Sequence, residues 1–402
     1  MKSFLYFFYL YLVVYVPVIS GSIRKFNILL YLFIALIIIF RHKKISYNIF
    51  RECKPIWFSI VYLTFYVVLN VLFNNADSII LTATFSMTIV PFFSVLALST
   101  LFILQKRKDF IKDFIKVATM ASVISVILYL IPQLGKSILF LMSGDDADSV
   151  QRFYDEGRGF GVAGSLFFGY SIIQAIAAFL CMKYNNKIKG YFYTLLILIS
   201  IILNARIGLF VFIALLLVNY LALSSIKQTI KMIFAISIVI CIVIWTGLYH
   251  EFQGSIDWTL EGVYMVSDFL LGTNYTNGYG HFSGLAGSFL IWPNNTMEWI
   301  FGRGIYLLQG YKGFSSDVGF ILQLNWGGLI YLFFLLLPLL IIVKNSIKTK
   351  NWTFIIIVLT VLIICDWKGD LFTQSNFLFI IITLFLLTNR RNEINICNYR
   401  SF

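Results

Sequence analysis

Arg158, Arg206 and Arg303, with Arg152, Lys136 and Lys312 nearby, fall in segments that the charge pattern below places on the outer side of a bilayer. That side ordinarily carries few basic residues. Arginine offers a rigid fork of donors matched to phosphate oxygens, and ionisable groups at membrane depth are costly and mark functional sites. Arg206 is the sharpest case, because Asn204-Ala205-Arg206-Ile207-Gly208 forms a minimal turn between two apolar runs. The competing role for such an arginine is to snorkel to lipid headgroups.

Glycines surround two of these arginines. In Glu156-Gly157-Arg158-Gly159-Phe160-Gly161-Val162-Ala163-Gly164, the glycines are expected to open an apolar span. Their GxGxxG spacing is not a dinucleotide fingerprint, which must follow a strand in a βαβ unit. Bare amides at a helix N-terminus would still favour an anion. The alternative is close helix packing on the small face Gly161-x-x-x-Ser165-x-x-x-Gly169. The second context is Phe301-Gly302-Arg303-Gly304, read as a flexible glycine frame, followed by Gly310-Tyr311-Lys312-Gly313 and Ser316-Asp317-Val318-Gly319. Asp317 could cap the following helix, orient an arginine, or accept a proton from a sugar hydroxyl.

His281 and His250 are the histidines of the outer segments. A histidine there could deprotonate an acceptor hydroxyl, or simply be solvated. Asp146-Ala147-Asp148 matches a DxD metal signature but sits in an acidic run that reads as a solvated loop. No HExxH, P-loop or nucleophile elbow is present, so metalloprotease, NTPase and serine-hydrolase chemistry have no support. The five cysteines lack metal-ligand spacing and imply no disulfide framework.

The elements that must position these residues follow from composition. Of 402 residues, 60% are hydrophobic and 12% charged, against about 25% charged in soluble domains. Apolar runs recur throughout, as bilayer-spanning helices require. The chain therefore reads as an all-α polytopic membrane protein forming a single integral membrane domain over residues 1–402. A soluble enzyme with one anchor, a disordered chain, a disulfide-stapled secreted module and a β-barrel are excluded, the last because whole segments are apolar instead of alternating. The net charge of +13 is read as membrane topology, and no nucleic-acid partner is expected.

About twelve spans are expected, near 3–20, 26–40, 56–73, 79–104, 117–134, 161–182, 191–204, 207–223, 232–248, 318–343, 352–365 and 375–388. With the N-terminus inside, 22 of 31 basic residues fall on the cytoplasmic side, while 14 of 18 acids fall outside. That asymmetry places both termini in the cytoplasm. The first span, crowded with Phe and Tyr, is expected to be retained as a helix and not cleaved as a signal peptide. Two outer connections are long, 135–160 and 249–317, and the second holds 11 of the chain's 26 glycines. Long connections in a compact protein are usually functional or disordered, and the tryptophans and tyrosines of 249–317 do not suit a linker.

Three stretches carry a family likeness: Arg158 with its glycines, Ala205-Arg206-Ile207-Gly208 at a tight turn, and Phe301-Gly302-x-Gly304 leading to Ser316-Asp317-x-Gly319. With about twelve spans and a large late outer loop, the chain resembles bacterial O-antigen polymerases of the Wzy type and is similar to the related O-antigen ligases. The resemblance implies a GT-C-like glycosyltransferase in the bacterial inner membrane with its active site facing the periplasm. Such an enzyme moves a growing glycan from undecaprenyl pyrophosphate onto a lipid-linked repeat unit, without cofactor or metal. Its partners would be undecaprenyl-pyrophosphate-linked oligosaccharide, membrane lipids and a chain-length regulator protein. By the family pattern, Arg206 and Arg303 would grip the pyrophosphate, with Arg158 assisting or placing the acceptor. Lys312 and Gly159, Gly161, Gly302 and Gly304 would line the substrate site. Asp317 would hold an arginine or the acceptor sugar, and His281 is the candidate base. A ligase acting on lipid A–core, or a flippase for lipid-linked oligosaccharide, are the competing readings. Spans nearly free of ionised groups and the long outer loop weigh against the flippase.

Overall fold

The computed structural model describes residues 2–17, 23–74, 76–85, 89–143, 147–156, 158–165, 168–184, 188–223, 253, 257, 260, 261, 264, 288–306 and 316–399. Among them the regular structure is helical, with no strand. Contacts divide the chain into two compact units: Met1–Val14, Ser22–Asp113 and Gly284–Phe402 form unit 1, and Tyr15–Gly21 with Phe114–Ser283 form unit 2.

Unit 1 draws on α1 (Lys2–Tyr15), α2 (Ile23–Arg41), α3 (Lys43–Glu52), α4 (Lys54–Asn74), α5 (Ile79–Thr84) and α6 (Val90–Leu104). Unit 2 follows with α7 (Phe110–Leu130), whose first turn still belongs to unit 1, α8 (Pro132–Ser143), α9 (Ala147–Asp155), α10 (Phe168–Tyr184), α11 (Ile188–Ile202) and α12 (Arg206–Leu223). The chain returns to unit 1 with α13 (Thr296–Phe301), α14 (Gly319–Lys348), α15 (Trp352–Lys368), α16 (Leu371–Gln374) and α17 (Phe377–Tyr399).

Helices α4, α7 and α14 are long and apolar enough to cross a bilayer. Shorter apolar helices lie at Ser3–Tyr15, Leu29–Arg41, Val90–Leu104, Phe168–Tyr184, Lys189–Ile202, Arg206–Ala222 and Phe377–Thr388. Of the run 79–104, expected as one span, α5 covers Ile79–Thr84 and α6 covers Val90–Leu104, with residues 86–88 outside the described residues. The segment 135–160 carries most of α8 and all of α9. The expected span 232–248 lies outside the described residues.

Helix α14 is the longest among the described residues, and its apolar sequence hides a break. Gly328 has φ 67 and ψ −167 inside it, a conformation open only to glycine. A β-carbon there would lie 2.3 Å from the Ile300 carbonyl oxygen. At such a break carbonyls lose their partners four residues on and need other donors. Arg303 N donates to Asn325 O (2.6 Å) and Gly304 N to Trp326 O (3.2 Å). From α4, Asn70 Nδ2 donates to Trp326 O (3.0 Å) and Tyr66 Oη to Gly327 O (2.7 Å). The strip 302–304 is thus clamped along the broken helix.

In unit 2, α10 lies against both α11 and α12. Gly208 permits this approach, since a β-carbon there would sit 2.6 Å from Ser171 O. Small buried hydroxyls tie the helices together: Ser122 bonds Ser200 (3.0 Å), and Ser125 bonds the Tyr170 hydroxyl (2.7 Å).

Candidate functional site

The turn after α11 and the turn after α9 are stitched to one another in unit 2. Gly159 N donates to Leu203 O (3.1 Å), and Asn204 Nδ2 donates to Phe160 O (2.8 Å) while also holding Ser200 O (2.7 Å). Phe160 and Leu203 are buried with Leu128, so the stitch rests on an apolar seat. Arg158 and Arg206, distant in sequence, become neighbours as a result.

Their charges interact. Burial lowers the Arg158 guanidinium's hold on its proton; Glu156 opposes this, and the like charges of Arg152 and Arg206 add to it. Each arginine has an acidic companion. Arg158 Nε lies 2.5 Å from Glu156 Oε2 and stacks its guanidinium on Phe153, 4.7 Å from the ring centroid. Arg206, the first residue of α12, donates from Nη2 to Glu261 Oε2 at 2.7 Å. Glu261 is half exposed, at 51%, whereas the Arg206 side chain is 16% exposed.

The glycine run does not form the expected helix-opening cradle. Helix α10 begins at Phe168, leaving Gly159, Gly161 and Gly164 in irregular backbone ahead of it. The Gly159 amide is taken by Leu203 O and the Gly164 amide by Tyr15 O (2.9 Å). With φ +89, Gly159 serves the turn that brings Arg158 to Arg206.

Unit 1 treats its arginine differently. Arg303 donates from Nε to Glu298 Oε2 (2.6 Å) and from Nη2 to Trp292 O (2.7 Å). Glu298 is itself set by a capping box: Asn295 Oδ1 accepts from Glu298 N (2.9 Å), while Asn295 Nδ2 and Asn294 N donate to the Glu298 carboxylate at 3.0 and 2.7 Å. The Asn294 amide first, and then the Arg303 guanidinium, hold this carboxyl below its ordinary range. Gly302 and Gly304 both have positive φ; a β-carbon would meet Gly327 N at 2.5 Å in the first case and Ala76 Cα at 2.9 Å in the second. The glycine frame is therefore fixed, not flexible.

Asp317 pairs with Lys368 at 4.0 Å, not with an arginine. It does not cap α14 either, whose N-cap is Val318; the neighbouring Ser316 Oγ accepts from Val318 N (3.1 Å). His281, His250 and Lys312 lie outside the described residues.

Sequence reasoning missed a buried polar knot beside this strip. Asp370 is 1% exposed and Asp366 8%. Gln323 Nε2 donates to both, at 3.0 and 2.9 Å. Tyr306 Oη and Phe372 N also donate to Asp370 (3.0 and 3.1 Å), and Tyr306 N donates to Asp77 Oδ2 (2.7 Å). Two acids four apart in Asp366-Trp367-Lys368-Gly369-Asp370 were the available signal. Among the described residues no group of three or more His, Cys, Asp or Glu is placed to hold a metal ion.

Comparison with family models, curated proteins and solved structures returned no match for this chain.

Proposed function

We propose that this chain is a polytopic membrane glycosyltransferase, a polysaccharide polymerase of the O-antigen type, acting on lipid-pyrophosphate-linked glycan. The observation that carries the reading is the stitched pair Arg158–Arg206: two crowded guanidiniums whose acidic partners a pyrophosphate could displace. About twelve spans, a GT-C-like fold and a periplasm-facing site belong to the same proposal. It is supported by the three bilayer-length helices, the further apolar helices and the charge asymmetry.

In the reaction, a hydroxyl oxygen of the acceptor repeat unit bonds to the anomeric carbon of the growing glycan. The bond from that carbon to undecaprenyl pyrophosphate breaks, and its electron pair leaves with the pyrophosphate. The hydroxyl proton passes to a base, for which His281 is the candidate. Preorganised cations at the developing charge supply the stabilisation, and one such donor is worth about 2.7–4 kcal/mol in a serine protease. Arg158 and Arg206 fill this role. Arg303 is tied to Glu298 and the Trp292 carbonyl and is not assigned to the pyrophosphate.

Deleting the gene and resolving the cell's lipopolysaccharide on a gel tests the reading. Collapse of the ladder to core plus one repeat unit is the expected result. Loss of every repeat would point to the ligase or flippase instead, and an unchanged ladder would remove all three.

A further inference from the structure

At the N-terminal end of α14 and the C-terminal end of α15, four aromatic rings form a continuous ladder. Trp299 stacks on Trp292, with centroids 5.6 Å apart and planes 14° apart. Trp292 meets Phe320 at 5.9 Å, and Phe320 meets Trp367 at 5.3 Å. The ladder is open: Trp292 is 45% exposed and Trp367 47%. Two ion pairs accompany it, Glu298–Arg303 and Asp317–Lys368. Glu298 sits one residue from Trp299, and the pair Asp317–Lys368 brackets Phe320 and Trp367 in sequence.

We propose that this ladder is a pyranose-binding platform that seats a sugar of the acceptor glycan, a role that rests on the polymerase reading. A pyranose ring presents a face of C–H groups that stacks on an aromatic plane, while its hydroxyls seek charged donors and acceptors at the edge. Aromatic rings supply large apolar area with defined geometry, and a few placed polar groups fix orientation. The flanking charges choose sugar over lipid. Tryptophans do collect at membrane interfaces, but each carboxylate here is already paired with a cation, Glu298 with Arg303 and Asp317 with Lys368, so the edge of the ladder carries no net positive charge to draw the anionic phosphates of a bilayer surface. Neutral hydroxyls accept both signs. The Arg303 guanidinium bonds both Glu298 and the Trp292 carbonyl, which fixes the Trp292 backbone.

The test uses purified full-length protein in nanodiscs and follows tryptophan emission. The probe is the repeat-unit oligosaccharide released by mild acid from its lipid carrier, so that it carries no pyrophosphate. Wild type and Arg206→Lys should respond alike. Trp367→Ala should bind about tenfold more weakly, and Trp367→Phe should recover most of the loss. Undecaprenyl pyrophosphate should bind Trp367→Ala as it binds wild type, showing that the variant is folded. Unchanged oligosaccharide affinity in Trp367→Ala would overturn the platform. So would a wild-type emission that ignores oligosaccharide and shifts only with the nanodisc's phosphatidylglycerol content, which marks a membrane anchor. An unchanged lipopolysaccharide ladder in the deletion strain, with oligosaccharide binding intact, would sink the polymerase reading and leave the platform standing.

Discussion

In unit 1, Arg303 is gripped by a carboxylate that is itself gripped by two amides, and the buried Asp366 and Asp370 are answered by a glutamine, a tyrosine and a backbone N–H. In unit 2, Arg158 and Arg206 stand near enough to repel, and the partner of Arg206 is half exposed. Hydrogen-bonded polar groups in a low-dielectric setting rigidify. Crowded like charges with exchangeable partners are where a multivalent anion gains most. The first arrangement is a frame and the second a receptor, and the two should break differently.

The largest effect is expected in the frame. Gly328→Ala places a β-carbon against Ile300 O at a positive φ; strain of about 1–3 kcal/mol and overpacking of about 1–3 kcal/mol add. Thermal unfolding in detergent should show loss of the folded protein. A stable Gly328→Ala protein would mean that the break in α14 is not required.

Arg206→Lys should instead leave the unfolding temperature nearly unchanged while polymerisation falls about a hundredfold, since the charge remains and the fork is lost. Repeat-number distribution at matched expression checks it. Next, Gln323→Leu withdraws one donor from two buried carboxylates and should cost about 1–3 kcal/mol in denaturant unfolding.

Glu298→Gln tests how far Arg303 belongs to the frame. Because the folded carboxyl titrates below its ordinary value, its contribution is present above about pH 4.3 and is lost as pH falls through the lower folded value. Wild type should therefore lose its stability margin over Glu298→Gln on acidification, and a margin independent of pH would break the assignment. The smallest effect is Glu261→Gln: an exposed ion pair is worth about 0–1 kcal/mol, so stability should barely move while pyrophosphate binding holds or improves.

These contrasts were only partly legible in the sequence. Arg158, Arg206 and Arg303 announce themselves by opposing the positive-inside bias, but nothing local says that 158 meets 206 while 303 turns to Glu298. That depends on Asn204 and Gly159 bonding across two turns. The apolar run through 318–343 reads as one helix because hydropathy does not register φ, and the Gly327-Gly328 pair was the sole mark of the break. The same blindness made Gly302 and Gly304 look flexible, although each is pressed against backbone or Ala76. The acids at 366 and 370 fall between the expected spans 352–365 and 375–388, and only tertiary packing buries them.

Affinity of the purified protein for undecaprenyl pyrophosphate, compared between wild type and Arg206→Lys, tests the receptor most directly. Loss of the bidentate contact should weaken binding about tenfold with an unchanged unfolding temperature. Equal affinity in the two proteins would contradict the assignment of the Arg158–Arg206 pair to the pyrophosphate.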